Sequence, residues 1–416
     1  MELKRVVVTG LGTINPLGHN LSDSWKNMVK GVSGASLIDT FDTTHFKTKF
    51  ACTVKNYDPL NYFDRKEARK LDKYAQYALI AADEAVSDAK IDIEKINKDR
   101  AGVIWGSGIG GIETFTEEIR KYIEGGGEPK FNPFFIPKMI ADIASGHISI
   151  KHDFRGPNFT TVSACASSAN ALADAFNYIR LGKADIIISG GSEAAVNEAG
   201  VAGFNAMRAI SMRNDDPASA SRPFDADRDG FVMGDGGAAL LLEEYEHAVK
   251  RGATIYAEFG GAGLSGDAHH ITAPHPEGRG AAIVMKNALE DAGMKPEEID
   301  YINLHGTSTG LGDIVEPLAV QKVFGEHAYK LSISSTKSMT GHLLGASGAL
   351  EALASIMAMK DGIIPPTINQ HNLDEKIDPR LDFTFNTAKK RDINAFLSNT
   401  FGFGGHNVSV IFKKLK

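Results

Sequence analysis

Three side chains far apart in this sequence have the types needed for covalent acyl transfer: Cys165, His305 and His342. A sulfur can attack a thioester and carry its acyl group, while imidazoles move protons or donate hydrogen bonds to a developing oxyanion. Residues 158–162 read as a strand, and Ser163-Ala164-Cys165-Ala166-Ser167-Ser168 then turns into a helix running to Leu181. At such a junction unpaired backbone N–H groups and the helix dipole favour negative charge, so the thiol pKa is expected to fall. Taken alone, a Cys beside Ala and Ser also suits a buried small hydrophobe, which is the reading for Cys52 in Ala51-Cys52-Thr53-Val54.

The two histidines change that balance. His305 follows the apolar run Ile302-Asn303-Leu304 and opens the polar loop His305-Gly306-Thr307-Ser308-Thr309-Gly310, at a strand end where α/β active sites gather. His342 ends Lys337-Ser338-Met339-Thr340-Gly341-His342, just before a second Ala-rich helix. The other histidines among the 13 suit surface or core positions.

The elements that must position these groups alternate. Short β-branched runs at residues 6–9, 102–105, 186–189 and 301–304 alternate with Ala-rich stretches at 74–89 and 167–181. An α/β protein with a mostly parallel, buried sheet is expected. A shift of 180 residues superposes Ala166, Ser167, Ala169 and Gly182 on Ala346, Ser347, Ala349 and Gly362, with Arg180 falling on Lys360. Such identities arise by chance in Ala-rich sequence or from a duplicated α/β unit, in which case the halves meet near Lys250-Arg251-Gly252 and their equivalent helices converge on one site.

With 416 residues, 43% hydrophobic and 23% charged, the chain can bury one large core or two fused ones. No stretch is long and apolar enough for a membrane helix, and residues 1–9 lack a signal-peptide pattern. Two cysteines build neither a disulfide framework nor a zinc site, so a reducing, cytoplasmic compartment is expected, or a processed organellar form. A net charge of −7 disfavours nucleic acid and makes any basic cluster stand out. Lys66, Arg69, Lys70 and Lys73 recur at helical spacing, either as a solvated face or as a docking stripe.

Two motifs are weighed and set aside. Gly106-Ser107-Gly108-Ile109-Gly110-Gly111 matches a dinucleotide-binding loop, but no acidic residue ends a second strand about twenty residues on. Asp225-Ala226-Asp227-Arg228-Asp229-Gly230 opens like a calcium loop, yet its twelfth position is Gly236 rather than glutamate. No metal is expected.

Together these residues closely resemble the β-ketoacyl synthase family of the thiolase-like fold, and within it the type II elongating enzymes. The resemblance spans nearly the whole chain, from Arg5-Val6-Val7-Val8-Thr9-Gly10 to Phe401-Gly402-Phe403-Gly404-Gly405. It is strongest at Ala164-Cys165-Ala166-Ser167-Ser168, the His305–Thr309 loop, Lys337 with Gly341-His342, and the glycine-phenylalanine loop 399–405. It implies duplicated βαβ-type halves in a layered αβαβα arrangement, residues 1–250 carrying the nucleophile and 251–416 both histidines. It implies an acyltransferase that loads an acyl chain on Cys165 and condenses it with malonyl carried by acyl carrier protein, losing CO2 and adding two carbons in fatty acid biosynthesis. Cys165, His305 and His342 would form the triad, with Lys337 and Glu351 a supporting charged pair. Thr307 and Thr309 would bind the pantetheine arm, and Phe403 would gate the site, its N–H and that of Cys165 making an oxyanion hole. Ile109, Phe204 and Gly404 would touch substrate, while Lys66, Arg69, Lys70 and Arg208 would dock the acidic carrier. No cofactor is implied beyond the carrier's own phosphopantetheine, and a homodimer is. Gly310 stands where the family commonly has proline, and His406 where it has threonine. The rival readings are a cysteine hydrolase, which explains one histidine only, a noncatalytic subunit, which would lack Cys165, and a thiolase, which needs a second cysteine near the C-terminus.

Overall fold

The computed structural model describes residues 3–415. Ten strands form one sheet: β1 (Val6–Ile14), β2 (Ala101–Gly106), β3 (Asn158–Thr161), β4 (Ile186–Glu193) and β5 (Gly236–Glu244), then β6 (Ala257–Gly266), β7 (Tyr301–Asn303), β8 (Ser332–Ser334), β9 (Ala395–Gly402) and β10 (His406–Lys413). Their order is β8-β7-β9-β10-β6-β1-β5-β4-β2-β3. Advancing every label of the first half by five reproduces the order and orientation of the second, so the chain is a structural duplication. The halves join through a short antiparallel seam in which Val6, Val7 and Val8 face Phe259, Glu258 and Ala257.

The sheet is not mostly parallel. Only β3, β2 and β4, and likewise β8, β7 and β9, run parallel to their neighbours, while β5, β1, β6 and β10 form an antiparallel centre. Apolar runs such as Ile186-Ile187-Ile188 match parallel and antiparallel strands alike when both faces are covered, so burial was legible and direction was not.

Three cores fill the spaces between layers. The helix α1 (Lys73–Asp88) packs with Ile186, Ile188, Ala239 and Leu241 on the outer face of the first half. The helices α2 (Ser167–Arg180) and α5 (Ser347–Asp361) share the central core with Ile187, Leu240 and Leu242 from one side and Phe396, Val408 and Val410 from the other. The helices α3 (Arg279–Ala292) and α4 (Gly312–Phe324) cover Leu397 and Ile411 beyond the second half. Successive strand residues point to opposite layers, so β4 and β9 each feed two cores and the stack runs αβαβα. Small residues let the central helices approach: a Cβ at Gly348 would lie 2.8 Å from the Ala169 Cβ.

The 180-residue repeat is the clearest trace of this symmetry. Before α2, residues Ala164–Ala166 form a 3-10 turn whose first residue has φ 52°, and before α5 residues Leu344–Ala346 do the same with φ 49°. Neither Ala nor Leu favours the left-handed region, so both turns hold strain that the surroundings must maintain. In the first, the Ser167 hydroxyl accepts from the Ser163 N–H at 2.9 Å and donates to the Ala164 carbonyl at 2.7 Å. Between the halves, helix Tyr245–Lys250 leads to Gly252, and Arg251 is clamped on Glu243 rather than free as a connector. No helix among the described residues is long and apolar enough to cross a membrane.

Candidate active site

One cavity of about 650 Å³ opens at the strand ends where the halves meet, and Cys165, His305, His342, Thr307, Thr309, Phe403, Ile109, Phe204 and Arg208 all line it. Cys165 is the middle residue of the first strained turn. The backbone N–H groups of Phe403 and of Cys165 itself point at its sulfur and favour the thiolate. Burial nevertheless dominates and pushes the thiol up to about 12, with the Lys337 charge and the two N–H groups pulling the other way and buried Glu193 adding to the rise. The expected lowering by the helix start is therefore overturned: desolvation of the sulfur outweighs the dipole.

His305 follows β7. Its backbone N–H donates to Glu316 Oε1 at 2.8 Å and the Gly306 N–H donates to Oε2 at 3.0 Å, so a buried carboxylate on α4 fixes the loop. Asn399 donates to the same carboxylate at 3.1 Å. His342 lies five residues before α5, with Nδ1 against the Ser347 hydroxyl at 2.8 Å. The two rings stand nearly perpendicular, at 87°, with centroids 5.3 Å apart. Phe231 packs edge-on against His342 at 5.3 Å, and Phe401 packs at a tilt against His305 at 5.6 Å. Burial holds both imidazoles well below their usual pKa, and the Lys337 charge pushes each further down. Both rings are neutral at physiological pH and can donate through one nitrogen.

Lys337 opens the short helix Lys337–Thr340 and makes a fully buried ion pair with Glu351 on α5. Burial raises the Glu351 carboxyl to about 7 against the pull of Lys337. The pair touches no open space and acts on the histidines through charge.

The glycine-phenylalanine loop is the hairpin between β9 and β10. Gly402 packs directly on the nucleophile turn, where a Cβ would stand 2.6 Å from the Ser163 carbonyl oxygen and 3.2 Å from the Cys165 nitrogen. This close approach brings the Phe403 N–H to the sulfur. Gly404 does not line the cavity as expected for a substrate contact: its N–H is held by the Ile271 carbonyl at 2.6 Å, and Gly405 and Asn407 face inward instead. The exposed His406 ring lies over it, its Nε2 2.8 Å from where a Gly404 Cβ would be. Gly310 takes part in the mouth, its carbonyl accepting from Arg228 at 2.6 Å. The Thr307 and Thr309 hydroxyls are paired at 3.1 Å.

The basic stripe is only partly realised. A helix covers Arg65–Ala68 and a new one begins at Lys73, capped by Asp72, so residues 66–73 share no single helical face. Lys66, Arg69 and Lys70 are exposed and make no salt bridge among the described residues, whereas Lys73 is taken by Glu113 at 3.0 Å.

Both set-aside motifs have other uses. In the loop 106–111, the N–H groups of Gly108, Ile109 and Gly110 donate to Glu193, so they are occupied by protein. Asp225 accepts from the backbone of His371 and Asn372, and no cluster of metal-ligating residues exists among the described residues. Sequence reading missed Glu193, Glu316 and Phe231, and gave Phe401 no role of its own. The one signal for Glu193 was a carboxylate ending an otherwise apolar, glycine-rich strand.

Known proteins resemble this chain along its whole length. The family model described as the β-ketoacyl synthase N-terminal domain matches residues 3–248 and that of the C-terminal domain residues 256–371. A 3-oxoacyl-[acyl-carrier-protein] synthase 2 from Synechocystis sp. is 48% identical over 414 residues, covering 100% of this chain and 99% of the relative. A β-ketoacyl synthase from Burkholderia phymatum superposes with a TM-score of 0.92 at 36% identity, covering 99% of this chain and 100% of that one. A type II PKS ketosynthase, solved with its acyl-carrier protein and bound to the hexaketide, gives 0.91 at 32% identity, covering 99% and 100%. A strained turn presenting a thiol to two neutral imidazoles, on a duplicated five-layer frame matched along its length, makes this chain a member of the β-ketoacyl synthase family.

Proposed function

We propose that the chain is a 3-oxoacyl-[acyl-carrier-protein] synthase that elongates acyl chains by two carbons in fatty acid biosynthesis. The observation that carries this is the meeting of one sulfur, two backbone N–H groups aimed at it and two perpendicular neutral histidines on a single cavity.

The resting thiol is protonated. In acylation the sulfur attacks the carrier-bound thioester, the new C–S bond replaces the old one, and the thiol proton passes to the departing pantetheine sulfur. The tetrahedral oxyanion is met by the N–H groups of Phe403 and Cys165. Malonyl thioester then loses CO2. The enolate oxygen receives hydrogen bonds from His305 and His342, whose Nδ1 atoms face Ser347 in one case and closed protein in the other, leaving Nε2 for the substrate. The enolate carbon attacks the acyl-cysteine and the thiolate leaves. Neutral rings are essential here, since an imidazolium would trap the malonyl carboxylate. Thr307 and Thr309 receive the pantetheine arm, with Ile109 and Phe204 against the acyl chain. The chemistry calls on no cofactor besides the carrier's phosphopantetheine.

Lys66, Arg69, Lys70 and Arg208 form the docking face for acyl carrier protein, supported by their freedom from ion pairs and by Arg208 at the cavity mouth. The functional unit is a homodimer built on β3. That edge strand pairs on one side only, and Val162 and Ile150 beside it are 62% and 80% exposed, with Phe134 and Ile136 also bare. An open apolar edge of this kind invites a second strand. The proposal is tested by a condensation assay with malonyl carrier and acyl donors: wild type condenses, while Cys165→Ala does not condense but still releases CO2 from malonyl carrier. Loss of both activities in a folded Cys165→Ala, or condensation without the sulfur, would refute it.

A further inference from the structure

The two strained turns invite a question about the second. Under the 180-residue repeat Gly345 is the counterpart of Cys165, and the strand end that closes over it is Glu193, the last residue of β4, just as Gly402 ends β9 over Cys165. The Cys165 N–H points at the reactive sulfur, whereas the Gly345 N–H donates to Glu193 Oε2 at 3.1 Å. Glu193 thus places an internal carboxylate in the anion hole of the duplicate turn. It is fully buried and receives four more donors: the N–H of Gly108 at 2.7 Å, of Ile109 at 3.2 Å and of Gly110 at 3.3 Å, and the Ser107 hydroxyl at 3.1 Å. Four of the five partners are backbone N–H donors and the fifth is a hydroxyl, a set that fits an anion and offsets the burial that raises this carboxyl's pKa.

The carboxylate therefore ties together two parts of the cavity wall: the loop that carries Ile109 and the turn beside Leu344, both of which line the space that Cys165 faces. We infer that Glu193 is a positioning residue for acyl-chain recognition, holding the Ile109 wall rigid so that long chains, which reach it, are bound in a preformed apolar slot. Short acyl groups do not depend on it. This rests on reading the cavity as the acyl-enzyme site.

Glu193→Gln keeps the shape but sets amide hydrogens against backbone donors that need an acceptor. The test is single-turnover acylation of Cys165, followed by intact mass, with acetyl and sixteen-carbon carrier donors. Relative to wild type, Glu193→Gln is expected to slow the long donor about tenfold and leave acetyl within about twofold. Ser107→Ala, which removes one donor only, is expected to shift the ratio in the same direction by about threefold and serves if Glu193→Gln does not fold. An equal loss with both donors, or an unchanged ratio in a folded variant, overturns the inference. Failure of wild type to acylate with either donor would instead sink the acyl-enzyme reading itself.

Discussion

The turn at Ala164–Ala166 and the turn at Leu344–Ala346 have the same backbone and opposite chemistry. In the first, Ser167 stabilises its own turn and the central position carries a thiol facing open space. In the second, the equivalent Ser347 turns outward to hold His342, and the central position is a glycine enclosed by Gly108 and Glu193. Duplication supplies two strained turns that open central helices, and a reaction with one covalent intermediate needs only one. The second half instead contributes the charges and donors: His305, His342 and the Lys337–Glu351 pair. A symmetric frame therefore holds an asymmetric site, with nucleophile and electrostatics in different halves.

Removing a contribution of the second half should cost most. His342→Ala is expected to lower malonyl decarboxylation and condensation together by about 10³-fold, since one preorganised donor to the enolate is lost. Its acylation by acyl carrier, read by mass, should fall far less, because that step relies on the turn of the first half. Equal loss of both steps would break the division of labour.

Lys337→Met tests the charge at a distance. Its ammonium pushes both histidines down, so without it their pKa values rise toward the ordinary 6.5 and protonation sets in at higher pH. The acid limb of the decarboxylation profile should move upward, with less than about a twofold loss in rate at neutral pH because burial still holds both rings below the ordinary value. Glu351, left without its partner, takes up a proton, so the site does not hold an uncompensated anion. An unmoved acid limb would show that Lys337 matters only for packing.

The equivalence of Cys165 and Gly345 can be probed by one substitution in each. Gly345→Ala would place a Cβ 2.3 Å from the Gly108 nitrogen and 2.6 Å from Glu193 Oε2, and should destabilise the fold by about 3 kcal/mol in chemical denaturation. Cys165→Ala should cost about 1 kcal/mol. Similar stability of the two variants would mean that the second turn is looser than its contacts imply.

A further effect is expected at the surface. Reversing Lys66, Arg69 and Lys70 to glutamate should raise KM for acyl carrier protein about tenfold at low salt and less as salt screens the attraction. An unchanged KM would remove docking from this face.

Much of this was legible before folding. The Cys165, His305 and His342 set and the 180-residue repeat were present as types and spacing, while the five-layer stack followed from the family resemblance. What escaped depends on contacts between residues distant in the chain. Sheet direction at the centre follows from how β1, β5, β6 and β10 meet, and no local pattern records it. The direction of the Cys165 pKa shift was misread because helix-start electrostatics are visible in sequence while burial of the sulfur in the fold is not. Lys73 joined the basic stripe on spacing alone, but Asp72 starts a new helix there and Glu113, 40 residues away, takes its charge. Glu193 and Glu316 escaped for the same reason: a buried carboxylate that gathers backbone N–H groups is defined by its partners.

The most direct test of the divided site is intact-protein mass spectrometry of the wild-type chain after mixing with acyl carrier, before and after malonyl carrier is added. The account requires one acyl group on Cys165 that persists in buffer and is discharged as 3-oxoacyl carrier only when the malonyl donor arrives. A chain that never takes up the acyl group, or that releases it to water at the same rate without malonyl carrier, would contradict it.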